Sequence, residues 1–122
     1  MIDPDPKLGP RIKLADFGFA TDTTESASRK VSLGARLCMS PEMVRAEEHS
    51  LPVDIWAVGV FAYYLQSYGQ YPFKGITKEV VNNKILNEEP EMHALDSAIN
   101  QMAKDFIAKC LTKDVVSRPT VL

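Results

Sequence analysis

Asp16-Phe17-Gly18 is the stretch whose residue types could most directly do chemistry. A carboxylate ending a short alternating run, followed by a glycine that can turn the chain, can hold a hard cation such as Mg2+. The tripeptide alone is weak, since chance supplies it in roughly one or two chains in a hundred of this length. A turn with a capped aspartate is the plainer reading. The second stretch is hydroxyl-rich: Thr21, Thr23, Thr24, Ser26, Ser28 and Ser32 fall in a polar segment without period. Such a segment reads as a mobile loop, and in most proteins it is only a solvated one. Cys38 and Cys110 are far apart and form no CxxC pair. They make neither a disulfide framework nor a zinc site, and they fit a reducing intracellular compartment.

These residues need elements to hold them. Residues 3 to 11 carry three prolines, a glycine and two aspartates, so a loop is expected there. Ile12 to Ala15 alternates as a short strand would, with Met1-Ile2 as its hairpin partner. Ser40-Pro41-Glu42 reads as a helix start, with a capping hydroxyl, proline at the first position and an acid in the first turn. Asp54 is the expected N-cap of the next helix, from Ile55 to about Ser67. Trp56, Val58, Val60, Phe61, Tyr63, Tyr64 and Leu65 make that helix apolar on every side, so it is expected to be a central pillar enclosed by protein.

Gly69, Pro72 and Gly75 punctuate a loop. Thr77 to Asn87 follows as a helix with a modest apolar face, and Glu88-Glu89-Pro90-Glu91 ends it as a solvated turn. Leu95, Ile99, Met102, Ala103, Phe106, Ile107, Cys110 and Leu111 fall at helical spacing and predict one amphipathic helix. Cys110 lies on its buried face, as a small core residue. Lys113 to Leu122 reads as a loop, with Pro119 opening a further helix at its end.

Composition bounds the rest. The 122 residues are 45% hydrophobic and 25% charged, which suits one globular domain with a real core and excludes wholesale disorder. The net charge of −2 offers no basic excess for a phosphate backbone, so no nucleic-acid partner is expected. The most apolar run, Ile55 to Leu65, is too short to span a bilayer, so no membrane partner is expected either.

Order turns weak signals into a specific one. Asp16-Phe17-Gly18 is followed by the hydroxyl-rich loop, then Gly34-Ala35-Arg36-Leu37-Cys38-Met39-Ser40-Pro41-Glu42, Asp54-Ile55-Trp56-Ala57-Val58-Gly59, Tyr71-Pro72-Phe73 and Ser117-Arg118-Pro119-Thr120. This succession resembles the C-terminal lobe of a eukaryotic protein kinase from its DFG motif onward, and the resemblance covers almost the whole chain. Phe19 and the pattern from Asp54 to Gly75 are more similar to serine/threonine kinases of the calcium/calmodulin-dependent group than to tyrosine kinases. The implied architecture is mainly α: a partial protein-kinase-like C-lobe, with a helix F pillar, helices G and H around it, and a short N-terminal β-hairpin. Residues 1–15 would be the hairpin, 16–42 the activation segment and 43–122 the C-lobe helices of one partial kinase domain.

The resemblance also implies roles. Asp16 would bind the Mg2+ that bridges ATP phosphates, and Phe17 would be the packing aromatic that sets active and inactive states. Gly34, Ala35 and Arg36 would belong to the substrate-docking loop, and the hydroxyls from Thr21 to Ser32 would be phosphosite candidates. Ser40, Pro41 and Glu42 would close the segment, with Glu42 paired to Arg118. Asp54 would hold the catalytic-loop backbone, and Trp56 and Gly59 would be structural.

Absent from the sequence are a Gly-x-Gly-x-x-Gly loop, a Val-Ala-Ile-Lys strand and a His-Arg-Asp catalytic loop. ATP and Mg2+ are therefore expected of the intact parent, without tight binding to this fragment. The chain alone is expected to be inactive. Ala35 stands where the family usually has threonine, and Cys38 where it usually has tyrosine, changes that would weaken even the parent. The implied function is a fragment of an enzyme transferring phosphoryl from ATP to protein serine or threonine. The alternative is a non-catalytic interaction module. Expected partners are a protein substrate or the rest of a kinase domain, in the cytoplasm.

Overall fold

The computed structural model describes residues 2–5, 9–20, 36–48 and 50–120. Strands β1 (Ile2–Asp5) and β2 (Gly9–Ile12) pair antiparallel, with Ile2 opposite Ile12 and Pro4 opposite Pro10. The hairpin is as expected, but its strands are shifted. The proline-rich stretch read as loop forms most of both strands, and the strand expected to start at Ile12 ends there. Every strand of a two-stranded ribbon is an edge, so prolines without an N–H are tolerated in it. Gly9 re-enters the ladder at φ 77, a backbone region that costs glycine no Cβ clash. Ile12 and Leu14 are exposed.

The short helix α1 (Pro41–Val44) starts as the sequence indicates, with Pro41 in its first turn and Glu42 beside it. Ser40 stands at the N-cap position but makes no side-chain capping bond. Helix α2 (Pro52–Gln66) is the longest element. It begins earlier than expected, at a proline preset for the first helical turn. Asp54 is therefore not the N-cap. It sits inside the first turn, where its charge complements the helix dipole.

Trp56, Gly59, Val60 and Tyr63 form the buried face of α2. Their spacing of three, one and three places them on one stripe. The opposite side is open: Phe61 and Leu65 are each 58% exposed, and Val58 is exposed as well. The enclosed pillar expected from the sequence is thus covered on one side only.

Two further helices build that covered side. Thr77 caps α3 (Lys78–Asn87) by accepting from the Val80 N–H at 3.3 Å. Asn100 caps α4 (Gln101–Cys110) by accepting from the Ala103 N–H at 2.9 Å. Val81 and Ile85, one turn apart on α3, join Trp56, Val60, Tyr63, Phe73, Leu95, Ile107 and Leu111 in one core. Trp56 and Phe73 stack with ring centroids 5.7 Å apart. Lys113 closes this corner: its Nζ lies 4.6 Å from the Phe73 ring centre and donates to the Ile85 carbonyl at 2.7 Å. Burial pushes the Lys113 ammonium below its ordinary value.

The single long helix expected from Leu95 to Leu111 is broken. Met92–Ala94 is a 3-10 turn, and α4 begins only at Gln101. Asp96 explains the break. Its N–H donates to the Gln66 carbonyl and its Oδ1 accepts from the Ala98 N–H, both at 2.8 Å, so its backbone bond leaves for the end of α2. Ile107, Cys110 and Leu111 are buried as expected, whereas Met102 is 80% exposed and Phe106 is exposed too.

Gly59 fixes how closely α2 and α4 approach. A Cβ there would stand 2.6 Å from the Cys110 Cβ and 3.0 Å from Leu111 Cδ2. Gly59→Ala should therefore cost about 1–3 kcal/mol through overpacking, despite the better helix propensity of alanine. Urea unfolding checks this, and an unchanged midpoint would mean that α4 can slide away freely.

Candidate active segment and its anchor

The segment bearing the candidate chemistry begins at the end of the hairpin. Asp16 has φ 63 and ψ 63, a left-handed backbone unusual for a residue other than glycine. It heads a 3-10 turn, Phe17–Phe19, without a side-chain capping bond. Gly18 follows in the turn, where an added Cβ would meet Asp16 Oδ1 at 3.4 Å, an ordinary contact. Asp16 is exposed, and Phe17 is 67% exposed. The aromatic expected to pack is thus turned outward.

Thr21, Thr23, Thr24, Ser26, Ser28, Ser32, Gly34 and Ala35 lie outside the described residues. Description resumes at Arg36, which is partly buried, and a turn closes with the Met39 N–H donating to the Arg36 carbonyl at 3.1 Å. Leu37 and Cys38 lie partly buried against the core. Burial pushes the Cys38 thiol up, which keeps it protonated and unreactive. Met39 and Ser40 are buried, delivering the chain into α1.

Here a charge-assisted contact is buried among the described residues. Arg118 Nη1 donates to Glu42 Oε1 at 2.7 Å, and Nη2 donates to Oε2 at 3.0 Å. This is the bidentate fork that a planar guanidinium makes with a carboxylate. Arg118 also donates from Nη1 to the Pro52 carbonyl and from Nε to the Thr112 carbonyl, each at 2.9 Å. Its guanidinium carbon lies 5.2 Å from the Trp56 ring centre. Both charged side chains are almost wholly buried.

Burial by itself would raise the Glu42 carboxyl. The Arg118 hydrogen bonds, the Glu42 N–H and the Arg118 charge together outweigh burial and hold it below the usual range.

Of the residues singled out from the sequence, the structure thus gathers Glu42, Arg118 and Trp56 into one cluster, with Gly59 one turn farther along α2. Asp16, Phe17 and Gly18 stand in the exposed stretch 11–18, apart from that cluster. Asp54 is exposed on the first turn of α2. Sequence reasoning missed the Pro52 and Thr112 carbonyls and the Lys113 contacts. Backbone acceptors carry no residue-type signal, so only the fold could reveal them.

A single carboxylate fits Mg2+ only as part of a larger set, because this cation is held by one or two carboxylates together with phosphates and waters. Among the described residues no three acidic, histidine or cysteine side chains converge into a metal site. Among them, too, no helix is long and apolar enough to cross a membrane.

Comparison with known proteins agrees with the motif order. The family described as "Protein kinase domain" matches residues 1–122. An Aurora kinase of Candida glabrata is 37% identical over 107 residues, covering 88% of this chain and 29% of the relative. Human death-associated protein kinase 2 is 35% identical over 116 residues, covering 92% of this chain and 30% of its own length. Rat myosin light chain kinase 3 is 36% identical over 109 residues, covering 88% of this chain and 14% of the relative. The last two fit the calcium/calmodulin-dependent-like expectation. The chain spans less than a third of each of these relatives.

Arg118→Ala would leave the Glu42 carboxylate buried without its cation, which should cost about 3–5 kcal/mol. An unchanged urea midpoint would count against this anchor. Because the Glu42 carboxyl is depressed in the fold, its contribution is present above the unfolded value of about 4.3 and fades as pH falls through the folded value. Thermal midpoints should therefore drop below about pH 4, and less steeply in Glu42→Gln, which has no carboxylate to protonate there.

Proposed function

The chain belongs to the protein kinase domain family, and we propose that it is the C-lobe part of a serine/threonine kinase that does not transfer phosphate by itself. The observation that carries this reading is Asp16. It is an exposed carboxylate, its own backbone left-handed, at the head of a 3-10 turn, with no converging metal-ligand cluster among the described residues.

In this reading Asp16 is one ligand to a Mg2+ held mainly by ATP phosphates, and the metal would neutralise charge on those phosphates. Phosphoryl transfer depends on positioning and charge stabilisation by many groups at once. The phosphate-binding lysine, the glycine-rich cover and the His-Arg-Asp base are not in this sequence. Asp16 alone leaves the nucleophile unoriented and the γ-phosphate unclamped. Residues 16–42 act as the activation segment, with Thr21, Thr23, Thr24, Ser26, Ser28 and Ser32 as its phosphate acceptors and Gly34, Ala35 and Arg36 as its substrate-docking loop. Glu42 and Arg118 fasten the end of that segment to the helices.

The open side of α2, with Phe61 and Leu65, favours a second role. An apolar face of this kind suits protein contact, and the remainder of a kinase domain is the partner proposed for it. As an interaction module the same chain would compete for a kinase's partners. Free thiols at Cys38 and Cys110 accord with the intracellular, cytoplasmic placement proposed here.

The test is phosphoryl transfer by the purified 122-residue chain with radiolabelled ATP, Mg2+ and casein as acceptor. The expected result is no transfer above the protein-free blank. Turnover that Asp16→Ala abolishes would overturn the reading.

A further inference from the structure

The connection from α3 to α4, residues 88–100, carries one short 3-10 turn, Met92–Ala94, and is otherwise irregular. It is fastened to α2 and the turn after it at two places. Near its start the Tyr63 hydroxyl donates to the Glu91 carbonyl at 2.9 Å. Farther on, the Tyr68 hydroxyl donates to Asp96 Oδ2, and the Asp96 N–H donates to the Gln66 carbonyl at 2.8 Å. Between these ties Leu95 is buried in the core, with Met92 and Ala94 half-buried against it. A cavity of about 20 Å3, lined by Tyr63 and Tyr71 and by Glu88, Glu91 and Ala94 of the connection, leaves the packing there incomplete.

Tyr68 is the unusual residue. It follows Ser67, the C-cap of α2, with φ 56, and Gly69 after it has φ 86. A left-handed residue just past a helix is most often glycine, because a Cβ there is sterically unfavourable. Tyr68 does not offset that strain by burial, since it is 82% exposed. What it contributes is its hydroxyl on Asp96. Asp96 is fixed to receive it: its Oδ1 accepts from the Ala98 N–H at 2.8 Å, and its carbonyl accepts from the Ile99 N–H at 3.1 Å. The Tyr68 hydroxyl and the Ala98 N–H hold the Asp96 carboxyl below its ordinary range. A bond between exposed groups across a strained turn breaks at low cost, because water replaces each partner.

We propose that residues 88–100 are a strap that opens as one unit while the helices stay folded, with the Tyr68–Asp96 bond as its latch. The helices hold its two ends: the Glu88 N–H donates to the Lys84 carbonyl at 2.9 Å, and Asn100 caps α4. Opening parts the strap from Tyr63 and withdraws Leu95 from the core. Apolar surface on the buried side of α2 then becomes reachable without unfolding α2, α3 or α4.

The test is amide exchange, followed residue by residue by NMR on the 122-residue chain and its Tyr68→Phe variant, which keeps the ring and removes the latch. Exchange should become roughly three- to tenfold faster at Ala94, Asp96, Ala98 and Ile99 together. Val60 in α2 and Ile107 in α4 should keep the parent rates, which shows that the variant is folded. Tyr63→Phe, at the other tie, should speed the same four amides. A rise confined to Asp96 and Ala98 would mean that one end frays alone. A rise extending to Val60 and Ile107 would mean that the bond supports the whole fold, and no rise would mean that it latches nothing. Any of these three results overturns the strap.

Discussion

The structure depends on one buried guanidinium. Arg118 reaches back 76 positions to Glu42 and joins α1, the start of α2 at Pro52, the chain just past α4 at Thr112 and the face of Trp56. Each of these elements is short or open on one side. Helix α1 has only four residues, too few to persist on its own. The bidentate fork fixes its direction, and through it the point where the chain from Arg36 enters the helices. Lysine would present a point charge with three donors in place of a fork and could not serve two carboxylate oxygens and two carbonyls at once.

A second constraint is the uneven cover of α2. Its buried stripe meets α4 at the distance Gly59 permits, and Trp56 stacks on Phe73 beneath Lys113. Its other side keeps Val58, Phe61 and Leu65 in contact with water. The same helix is thus core on one face and open on the other. That accords with a chain spanning less than a third of its kinase relatives. Catalysis in such a family is distributed over parts that must converge. The segment is anchored at Glu42 and exposed at Asp16.

Much of this was legible in the sequence, for definable reasons. The helix starting near Thr77 and the buried Cys110 followed from local rules that tertiary contacts did not override. The Glu42–Arg118 pair was legible only through family resemblance, since no local rule links residues so far apart. Four expectations failed, for different reasons. Asp96 gives its backbone bond to Gln66 and so ends the helical run that the spacing from Leu95 to Leu111 implied. Pro52 starts α2 ahead of Asp54, because a proline at the first turn needs no capping side chain to define the start. The prolines near the N-terminus read as loop, but a two-stranded ribbon has no central strand to exclude them. The exposure of Phe61 depends on what is beside the helix, which its own composition does not contain.

The most direct test of the anchor is a double-mutant cycle on Glu42→Ala and Arg118→Ala, read by urea unfolding of the 122-residue chain. If the pair is the joint described here, each single change strands a buried charge, and the double variant loses little more than either single one. The coupling should then approach the loss of one single variant, about 3–5 kcal/mol. Losses that simply add would show that the two side chains act independently, and the account of how this segment is held would be wrong.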